Sequence, residues 1–318
     1  GIPLHHLSVS GMRGKSLLAR GFGTLRLLWA VMESLAVIRR VKPDVVLGMG
    51  GYAAGPAGMA AWLTRRPLVI HEQNAVAGTT NRLLAPLARR VLCGLSGRFA
   101  AAHDAEVVGN PVRDELQPVD RRELNGLVRF SAERPMRLLV LGGSLGAAPL
   151  NALLPQAVDA LQERGVDKSL AVWQQCGQRN RLQADEAWTF SRFQHLRCDD
   201  YIDDMASAYG WADVVIARAG ALTVSELAQT GTASILIPLP HAIDDHQTVN
   251  ARVLEARGAA VLMPQRSITP DTLADVLEQW IVSPRTLAIM SVAASAAAQR
   301  DATTHVAAVL TEVAHAKA

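Results

Sequence analysis

The sequence predicts an α/β fold made of two parallel sheets, each covered by helices. Short apolar runs alternate with helical segments along the chain, which is the pattern of repeated βαβ units. Glycine-rich turns follow several of these runs, as they do where a parallel strand leads into a helix. The 318 residues exceed what one hydrophobic core usually supports, so we expect two domains. A charged segment, 113–135, is the expected connection between them.

In the first half, strands are predicted from apolar runs at 45–47 and 68–70 and from shorter runs at Val91 and Val107. One helix is predicted after Pro56 and another over about residues 77–89. In the second half, apolar runs predict four strands, at 137–141, 170–173, 214–217 and 234–237. A helix that ends near Gly165 follows the first of these strands, and further helices connect the others.

The composition is that of a protein with two substantial cores, and it argues against a nucleic-acid partner. Hydrophobic residues make up 49% of the chain and charged residues 19%. A net charge of +3 is too small for a duplex-binding surface, and 4% aromatic residues are too few for a base-stacking platform. An anionic lipid or a phosphorylated substrate suits this mild positive charge better. The three cysteines, Cys93, Cys176 and Cys198, show no paired spacing, which indicates reduced thiols in a cytosolic protein.

Four consecutive polar residues, His-Glu-Gln-Asn at 71–74, follow the strand predicted at 68–70. The preceding strand, at 45–47, leads into a turn that contains Gly48, Gly50 and Gly51. In open parallel sheets, ligands bind beyond the carboxyl ends of the strands. Capping of the next helix is the alternative interpretation, but a cap usually needs one such residue. We therefore expect a binding site at this end of the first sheet.

The glycine loop at 142–146 predicts a phosphate site in the second half. Glycines let backbone amides approach an anion at the start of a helix, and the Ser144 hydroxyl adds a donor there. The spacing differs from GxGxxG, so a dinucleotide fingerprint is absent. An ordinary turn between strand and helix remains the alternative.

A second glycine loop, 218–223, precedes a helix that carries Glu226 in its first turns. A glutamate near a helix start is often a capping partner or a complement to the helix dipole. A carboxylate beside a phosphate-binding turn is equally well placed to accept the two ribose hydroxyls of a nucleotide. The residues alone leave both interpretations open.

Six motifs occur in the order seen in one enzyme family. They are GMGGY (48–52), HEQN (71–74), GNPVR (109–113), GGSLGA (142–147), the run 201–226, and DDHQ with a following asparagine (244–247 and Asn250). With these motifs, the sequence resembles the MurG family of bacterial peptidoglycan glycosyltransferases over nearly the whole chain. The resemblance implies the GT-B fold, in which two Rossmann-like domains face a cleft. It implies an acceptor and membrane-facing domain in residues 1–112, with 301–318 packing back on it, and a UDP-sugar-binding domain in 113–300.

The resemblance also implies a reaction. The family transfers N-acetylglucosamine from UDP-N-acetylglucosamine to the 4-hydroxyl of the muramyl sugar of lipid I, the undecaprenyl-diphosphate-linked muramyl-pentapeptide. The product is lipid II, the transfer is a single displacement with inversion, and no cofactor takes part. Two alternatives stay open: a UDP-sugar epimerase of the same fold, and a UDP-sugar-binding fragment without activity.

Site residues can be carried over from the family motifs. The implied donor site consists of Arg113, Ser144, Ile202, Ala221, Leu222, Thr223, Glu226, His246 and Gln247. In it, Glu226 would bind the ribose, and the backbone of Ile202, next to Tyr201, would bind the uracil edge. Leu145 stands where many relatives have glutamine. The implied acceptor side consists of Tyr52, Asn74 and Asn81, with His71 and Glu72 as the catalytic candidates.

The two histidines His241 and His246 raise the question of a metal site. They lie five residues apart in a predicted loop, and a zinc site would need a third ligand that the spacing does not indicate. Hydrogen bonds from His246 and Gln247 to the sugar and diphosphate are what the resemblance implies. We therefore expect no metal, with helix N-termini, Ser144 and Arg113 stabilising the leaving diphosphate.

An apolar stripe near the start of the chain has basic residues on both sides. Its members are Leu17, Leu18, Phe22, Leu25, Leu28 and Trp29, and the flanking charges are Arg13, Lys15, Arg39 and Arg40. Such a stripe is either part of a core or a surface for an anionic membrane. Because the family acts on a lipid, we expect a peripheral protein on the cytoplasmic side of the cell membrane, with Trp62, Arg65 and Arg66 extending that face.

Family members open with a strand and a glycine-rich loop that carries a histidine, and neither occurs in these 318 residues. In the family, that histidine is a leading candidate for the base. We therefore expect the first domain to be incomplete at its N-terminus by roughly two βα units. On this expectation, the chain as it stands would transfer sugar very slowly.

Overall fold

A computed structural model describes residues 3–9, 17–124, 129–143, 147–240 and 242–316. The chain forms two compact units. Unit 1 consists of residues 1–111 together with 301–318, and unit 2 consists of residues 112–300.

Unit 1 is built on a four-stranded parallel sheet in the order β1-β2-β3-β4. Its elements up to residue 111 are α1 (Leu17–Val41), β1 (Val46–Gly48), α2 (Gly51–Leu63), β2 (Leu68–Glu72), α3 (Thr79–Leu84), β3 (Arg90–Cys93), α4 (Arg98–Ala102) and β4 (Glu106–Val107). Every residue of β2 is buried, because helices cover both faces of a parallel sheet. The helix predicted over 77–89 is shorter than expected, since Pro86 lies in a 3₁₀ turn that follows α3.

Unit 2 contains a six-stranded parallel sheet in the order β10-β9-β8-β5-β6-β7. Its strands are β5 (Met136–Leu141), β6 (Leu170–Gln175), β7 (Leu196–Asp199), β8 (Val214–Ala217), β9 (Ala233–Leu236) and β10 (Ala260–Leu262). Its helices are α5 (Ala148–Glu163), α6 (Arg181–Thr189), α7 (Met205–Trp211), α8 (Ala221–Thr230), α9 (His246–Glu255), α10 (Pro270–Val282) and α11 (Pro284–Ala296). The edge strands β7 and β10 were not predicted, because one is polar and the other is very short.

The last helix, α12 (Ala302–His315), belongs to unit 1. Three of its valines, Val306, Val309 and Val313, pack with sheet residues Val69 and Leu92 in one buried cluster. The spacing of three and four residues places these valines on one side of the helix. The opposite side of the sheet forms a second cluster with residues of α1, α2 and α3.

Candidate functional site

At the carboxyl end of β2, the carboxylate of Glu72 is buried and bonded on both oxygens. Oε1 accepts hydrogen bonds from the backbone and side-chain nitrogens of Asn74, at 3.0 and 3.1 Å. Oε2 accepts from the Gly78 amide at 3.1 Å and from Asn81 Nδ2 at 2.8 Å. The carboxylate therefore fixes the loop between β2 and α3, and it brings together two of the predicted acceptor residues, Asn74 and Asn81.

His71 is also buried, and its two ring nitrogens contact the protein. Nε2 lies 2.9 Å from the Gly109 carbonyl, which can only accept, so this nitrogen carries the hydrogen. Nδ1 then accepts from Gln73 Nε2 at 3.4 Å. Burial lowers the pKa of His71, although the Gly109 carbonyl and the Glu72 charge act in the opposite direction. The contacts of His71 and Glu72 position the surrounding loops, and their role as catalytic candidates stays a prediction.

The turn after β1 lies beside the same loop. Gly50 has φ = 77°, which favours glycine, and a Cβ at this position would lie 3.4 Å from Asn81 Nδ2. Gln73 Nε2 donates to the Met49 carbonyl at 3.2 Å and so ties this turn to β2. Tyr52, in the first turn of α2, is 60% exposed. The predicted acceptor residues are thus divided between a buried group, Asn81, and a surface group, Tyr52.

Sequence reasoning did not assign a role to Asn110, which lies at the end of the same sheet. Its Nδ2 donates to the Gln73 carbonyl at 3.1 Å. A Cβ on Gly94 would overlap the amide oxygen of Asn110, so only glycine at position 94 leaves room for the Asn110 side chain. The GNP turn that contains Asn110 was recognised as a motif, but its structural role follows from these contacts alone.

In unit 2, Glu226 lies in α8 and is partly buried. The Tyr209 hydroxyl donates to its Oε2 at 3.0 Å. Burial raises the pKa of Glu226, while the Tyr209 hydrogen bond and the positive charge of Arg113 lower it. The structure therefore brings Glu226 and Arg113, two predicted donor residues, into one electrostatic environment. Sequence reasoning missed Tyr209, because nothing in the spacing connects α7 with α8.

The turn between β8 and α8 is held from two sides. Asn250 Nδ2 donates to the Ala219 carbonyl at 3.2 Å. Arg218 donates to the Ile237 carbonyl at 3.1 Å and to Gln265 Oε1 at 2.6 Å. Gly220, the N-cap residue, has no side chain that could cap α8. The first backbone amides of an α-helix have no partner within the helix, so those of Ala221, Leu222 and Thr223 can be satisfied by an anion or by water.

The loop before α9 has an unusual backbone. Asp244 and Asp245 both have positive φ, at 54° and 52°, a region that non-glycine residues rarely occupy. Gln247 Oε1 accepts from the Leu239 amide at 2.9 Å and so holds this loop on the end of β9. His246 is the first residue of α9 and is half-buried. Strain of this kind is often found at binding sites.

Ile202, another predicted donor residue, lies at the carboxyl end of the same sheet. Ile202 follows β7 and is 5% exposed, whereas its neighbour Tyr201 is 49% exposed. Ser144 and His241 lie outside the described residues. The roles of all the donor residues stay predictions. Strand β5, which leads into the glycine loop at 142–146, lies in the sheet between β8 and β6.

Part of α1 exposes apolar side chains. Over residues 25–41, where side chains are described, the buried residues of this helix are Ala30, Ser34 and Ile38, at a spacing of four. A different side exposes Leu25, Leu28, Trp29 and Met32, and Arg39 and Arg40 follow in its last turn. The side chains of Leu17, Leu18 and Phe22, and residues 13 and 15, lie outside the described part. Where its side chains are described, the exposed stripe is thus separate from the side that packs in the core.

Among the described residues, no helix combines the length and the apolar character that crossing a bilayer requires. No group of three or more histidine, cysteine, aspartate or glutamate side chains in these ranges is placed to hold a metal ion. The expected independence from metal stays a prediction.

Comparisons with known proteins identify the family. Residues 1–93 match the glycosyltransferase family 28 N-terminal domain, and residues 137–306 match its C-terminal domain. A protein of Alkalilimnicola ehrlichii named UDP-N-acetylglucosamine–N-acetylmuramyl-(pentapeptide) pyrophosphoryl-undecaprenol N-acetylglucosamine transferase is 48% identical, over 98% of this chain and 85% of its own length. The crystal structure of Acinetobacter baumannii MurG is 35% identical with a TM-score of 0.80, covering 98% of this chain and 85% of that one.

The chain belongs to the MurG family, within glycosyltransferase family 28. This membership confirms the predicted resemblance and, with the two parallel-sheet units, the predicted GT-B fold. A putative UDP-N-acetylglucosamine 2-epimerase from Listeria monocytogenes has a TM-score of 0.64 at 14% identity, covering 93% of this chain and 80% of its own. At that identity the likeness concerns the fold alone. MurG relatives, in contrast, match in sequence over nearly the whole chain.

Proposed function

We propose that this protein transfers N-acetylglucosamine from UDP-N-acetylglucosamine to the 4-hydroxyl of the muramyl sugar of lipid I, which gives lipid II for peptidoglycan synthesis. The observation that carries the proposal is the 48% identity, over 98% of the chain, to a protein named for this transfer. The hydroxyl oxygen attacks the anomeric carbon of the donor and gives up its proton to a general base. The bond from that carbon to the diphosphate breaks, and UDP leaves with the electron pair.

The donor binds to unit 2 in this proposal. Glu226 accepts hydrogen bonds from the ribose, and the amides at the start of α8 bind the diphosphate, with Ser144 and Arg113 adding donors. His246 and Gln247 lie near the sugar, and the backbone of Ile202 binds the uracil. Two features support this assignment. Asn250 holds the turn before α8 through the Ala219 carbonyl, and the N-cap residue Gly220 has no side chain to occupy the start of the helix. Charge that develops on the leaving diphosphate is stabilised by these fixed dipoles.

The acceptor binds to unit 1 in this proposal, with Tyr52, Asn74 and Asn81 on its side. The buried carboxylate of Glu72 supports the role, because it fixes Asn74 and Asn81 to one loop. The exposed stripe on α1, with Arg39 and Arg40, supports peripheral attachment of unit 1 to the anionic, cytoplasmic surface of the cell membrane. The lipid substrate lies in that surface.

An activity measurement tests the reaction. With a labelled donor sugar and a lipid I analogue, we expect label in a lipid product, and UDP as the other product. Conversion of the donor sugar to an epimer, without label in the lipid, would contradict the proposal and favour the epimerase alternative.

A binding measurement tests the donor site. Glu226→Ala should weaken UDP binding at least about tenfold, since a charge-assisted hydrogen bond contributes about 1.5–3 kcal/mol. Calorimetry without metal, in the presence of a chelator, measures this affinity. Glu186→Ala, which removes an exposed carboxylate from α6 of the same unit, is the matched control. Equal affinity of Glu226→Ala and wild type would disprove the ribose assignment, and binding that depends on a divalent cation would disprove the metal-free site.

A further inference from the structure

Tyr209 is the side chain that touches Glu226 from inside the core. It lies in α7 and is 0% exposed, and its hydroxyl donates to Glu226 Oε2 at 3.0 Å. Burial and the Glu226 charge both raise the pKa of Tyr209 well above its ordinary value. The phenol therefore stays protonated, and with a carboxylate as its partner it acts as the donor.

The backbone around Tyr209 is fixed by a buried guanidinium. Arg121 Nη2 donates to the Tyr209 carbonyl at 2.8 Å and to the Ala212 carbonyl at 2.9 Å, where α7 ends. Arg121 Nη1 donates to the Thr230 carbonyl at 2.9 Å and to the Gly231 carbonyl at 3.1 Å, where α8 ends. One side chain thus joins the C-terminal ends of the helix that carries Tyr209 and the helix that carries Glu226.

The two oxygens of Glu226 differ in their surroundings. Oε2 is bonded to Tyr209, whereas Oε1 accepts no hydrogen bond from any residue in the described part of the chain. A carboxylate held at one oxygen by a rigid donor keeps a single orientation and spends less conformational entropy on ligand binding. Without that donor, the side chain gains rotamers, and its burial is no longer opposed by the hydrogen bond that lowers its pKa.

We propose that Tyr209 is a positioning residue for the donor nucleotide, and that it holds Glu226 so that the carboxylate meets the ribose diol. This inference rests on the proposed role of Glu226 in UDP binding. On this inference, Tyr209 contributes to the selection of a ribonucleotide over a 2′-deoxyribonucleotide although its side chain has no solvent exposure. A residue that only filled the core would affect stability without affecting this selection.

The test compares binding of UDP and 2′-deoxy-UDP by calorimetry. We expect wild type to prefer UDP by about tenfold or more, and Tyr209→Phe to lose most of that preference while it still binds both nucleotides. Trp188→Phe is the matched control, because it removes another buried hydrogen bond of unit 2, from the indole nitrogen to Gln174 at 2.8 Å. The control should keep the preference for UDP.

The outcomes separate the inference from the function on which it rests. If Glu226→Ala keeps the affinity and the preference of wild type, the ribose assignment itself fails. If Glu226→Ala loses the preference and folded Tyr209→Phe keeps it, Tyr209 does not position the carboxylate. Glu226→Asp gives a second test should Tyr209→Phe not fold, because an aspartate bonded to Tyr209 is too short to reach the ribose. A preference within about twofold of wild type in Glu226→Asp would overturn the inference.

Discussion

At the scale of the residue, Glu226 occupies a position that is unfavourable for a charged carboxylate. Burial is the largest influence on its pKa and raises it above 4.5, the value for an unperturbed glutamate. A carboxyl whose pKa is higher in the folded state stabilises the fold fully below its unfolded pKa. That stability is lost as the pH rises through the folded pKa. At neutral pH, the folded protein therefore carries the cost of a partly buried charge, as binding sites commonly do.

Glu226→Gln should consequently raise the stability of unit 2 at neutral pH and weaken UDP binding at the same time. The amide keeps an acceptor for the Tyr209 hydroxyl but carries no charge. Thermal unfolding from about pH 4 to pH 8 measures the effect, and the advantage of the variant should shrink towards the acidic end. A variant less stable than wild type at neutral pH would mean that Arg113 and Tyr209 outweigh the cost of burial.

At the scale of the element, Arg121 and Arg164 each bond several partners, but we expect them to contribute very different amounts to the stability of the fold. Arg121 is buried and bonds the carbonyls at the ends of α7 and α8. Burial lowers its pKa to about 10, and the charge of Asp213 acts in the opposite direction. Arg164 bonds Asp275 and Glu278 of α10 at 2.8 Å, but these carboxylates are largely or partly exposed. Buried carbonyls left without donors are costly, whereas exposed ion pairs contribute little.

Arg121→Met should therefore destabilise unit 2 by more than about 3 kcal/mol, and Arg164→Met by less than about 1 kcal/mol. Denaturant unfolding followed by tryptophan fluorescence measures both, since Trp173, Trp188, Trp211 and Trp280 all lie in unit 2. Similar losses in the two variants would show that the six hydrogen bonds of Arg121 are no stronger than surface ion pairs.

The sequence predicted the long, apolar elements and missed the short or polar ones. The central strands of unit 2 are continuous apolar runs, because both their faces are buried, and all were expected. The edge strand β7 reads Leu-Arg-Cys-Asp, with no apolar period, and its pairing with β6 is a tertiary effect. The candidate sites were likewise predictable only from local patterns. Glycine turns and polar clusters after strands indicated them, but Tyr209, the hydrogen-bond partner of Glu226, lies on a helix that no local pattern connects with Glu226.

At the scale of the whole molecule, the same polarity of parallel strands places both predicted sites at the carboxyl ends of the sheets. The sequence did not predict which of these side chains are buried or what they bond. His71 and Glu72 were predicted as catalytic candidates because they are polar and follow a strand, and in the folded protein both are buried and hydrogen-bonded to backbone and side-chain groups. Burial and hydrogen bonding depend on residues distant in the chain, such as Gly109, so they cannot be read from a local motif.

The membrane prediction also concerns the whole molecule, because it assigns membrane binding to unit 1 and UDP binding to unit 2. Replacement of Leu25, Leu28 and Met32 by serine should weaken binding to anionic liposomes and leave UDP affinity unchanged, since each apolar side chain contributes about 1.5–3 kcal/mol when buried in an interface. Co-sedimentation measures the first property and calorimetry the second. The matched control replaces the exposed Val282, Ile289 and Val292 of unit 2 by serine. Undiminished liposome binding by the α1 variant would place the membrane contact elsewhere.

The return of α12 to unit 1 has a consequence for the order in which the chain folds during synthesis. Strands β1 to β4 leave the ribosome early, but the valines that cover one face of their sheet follow only after the whole of unit 2, residues 112–300. Unit 2 is one continuous stretch, so it can fold as soon as it has emerged. Until α12 has emerged, Val69 and Leu92 lack the three valines that pack on that face, so we expect unit 1 to complete its core only after unit 2 has been synthesised. Most of unit 1 is thus translated before unit 2 but is completed after it.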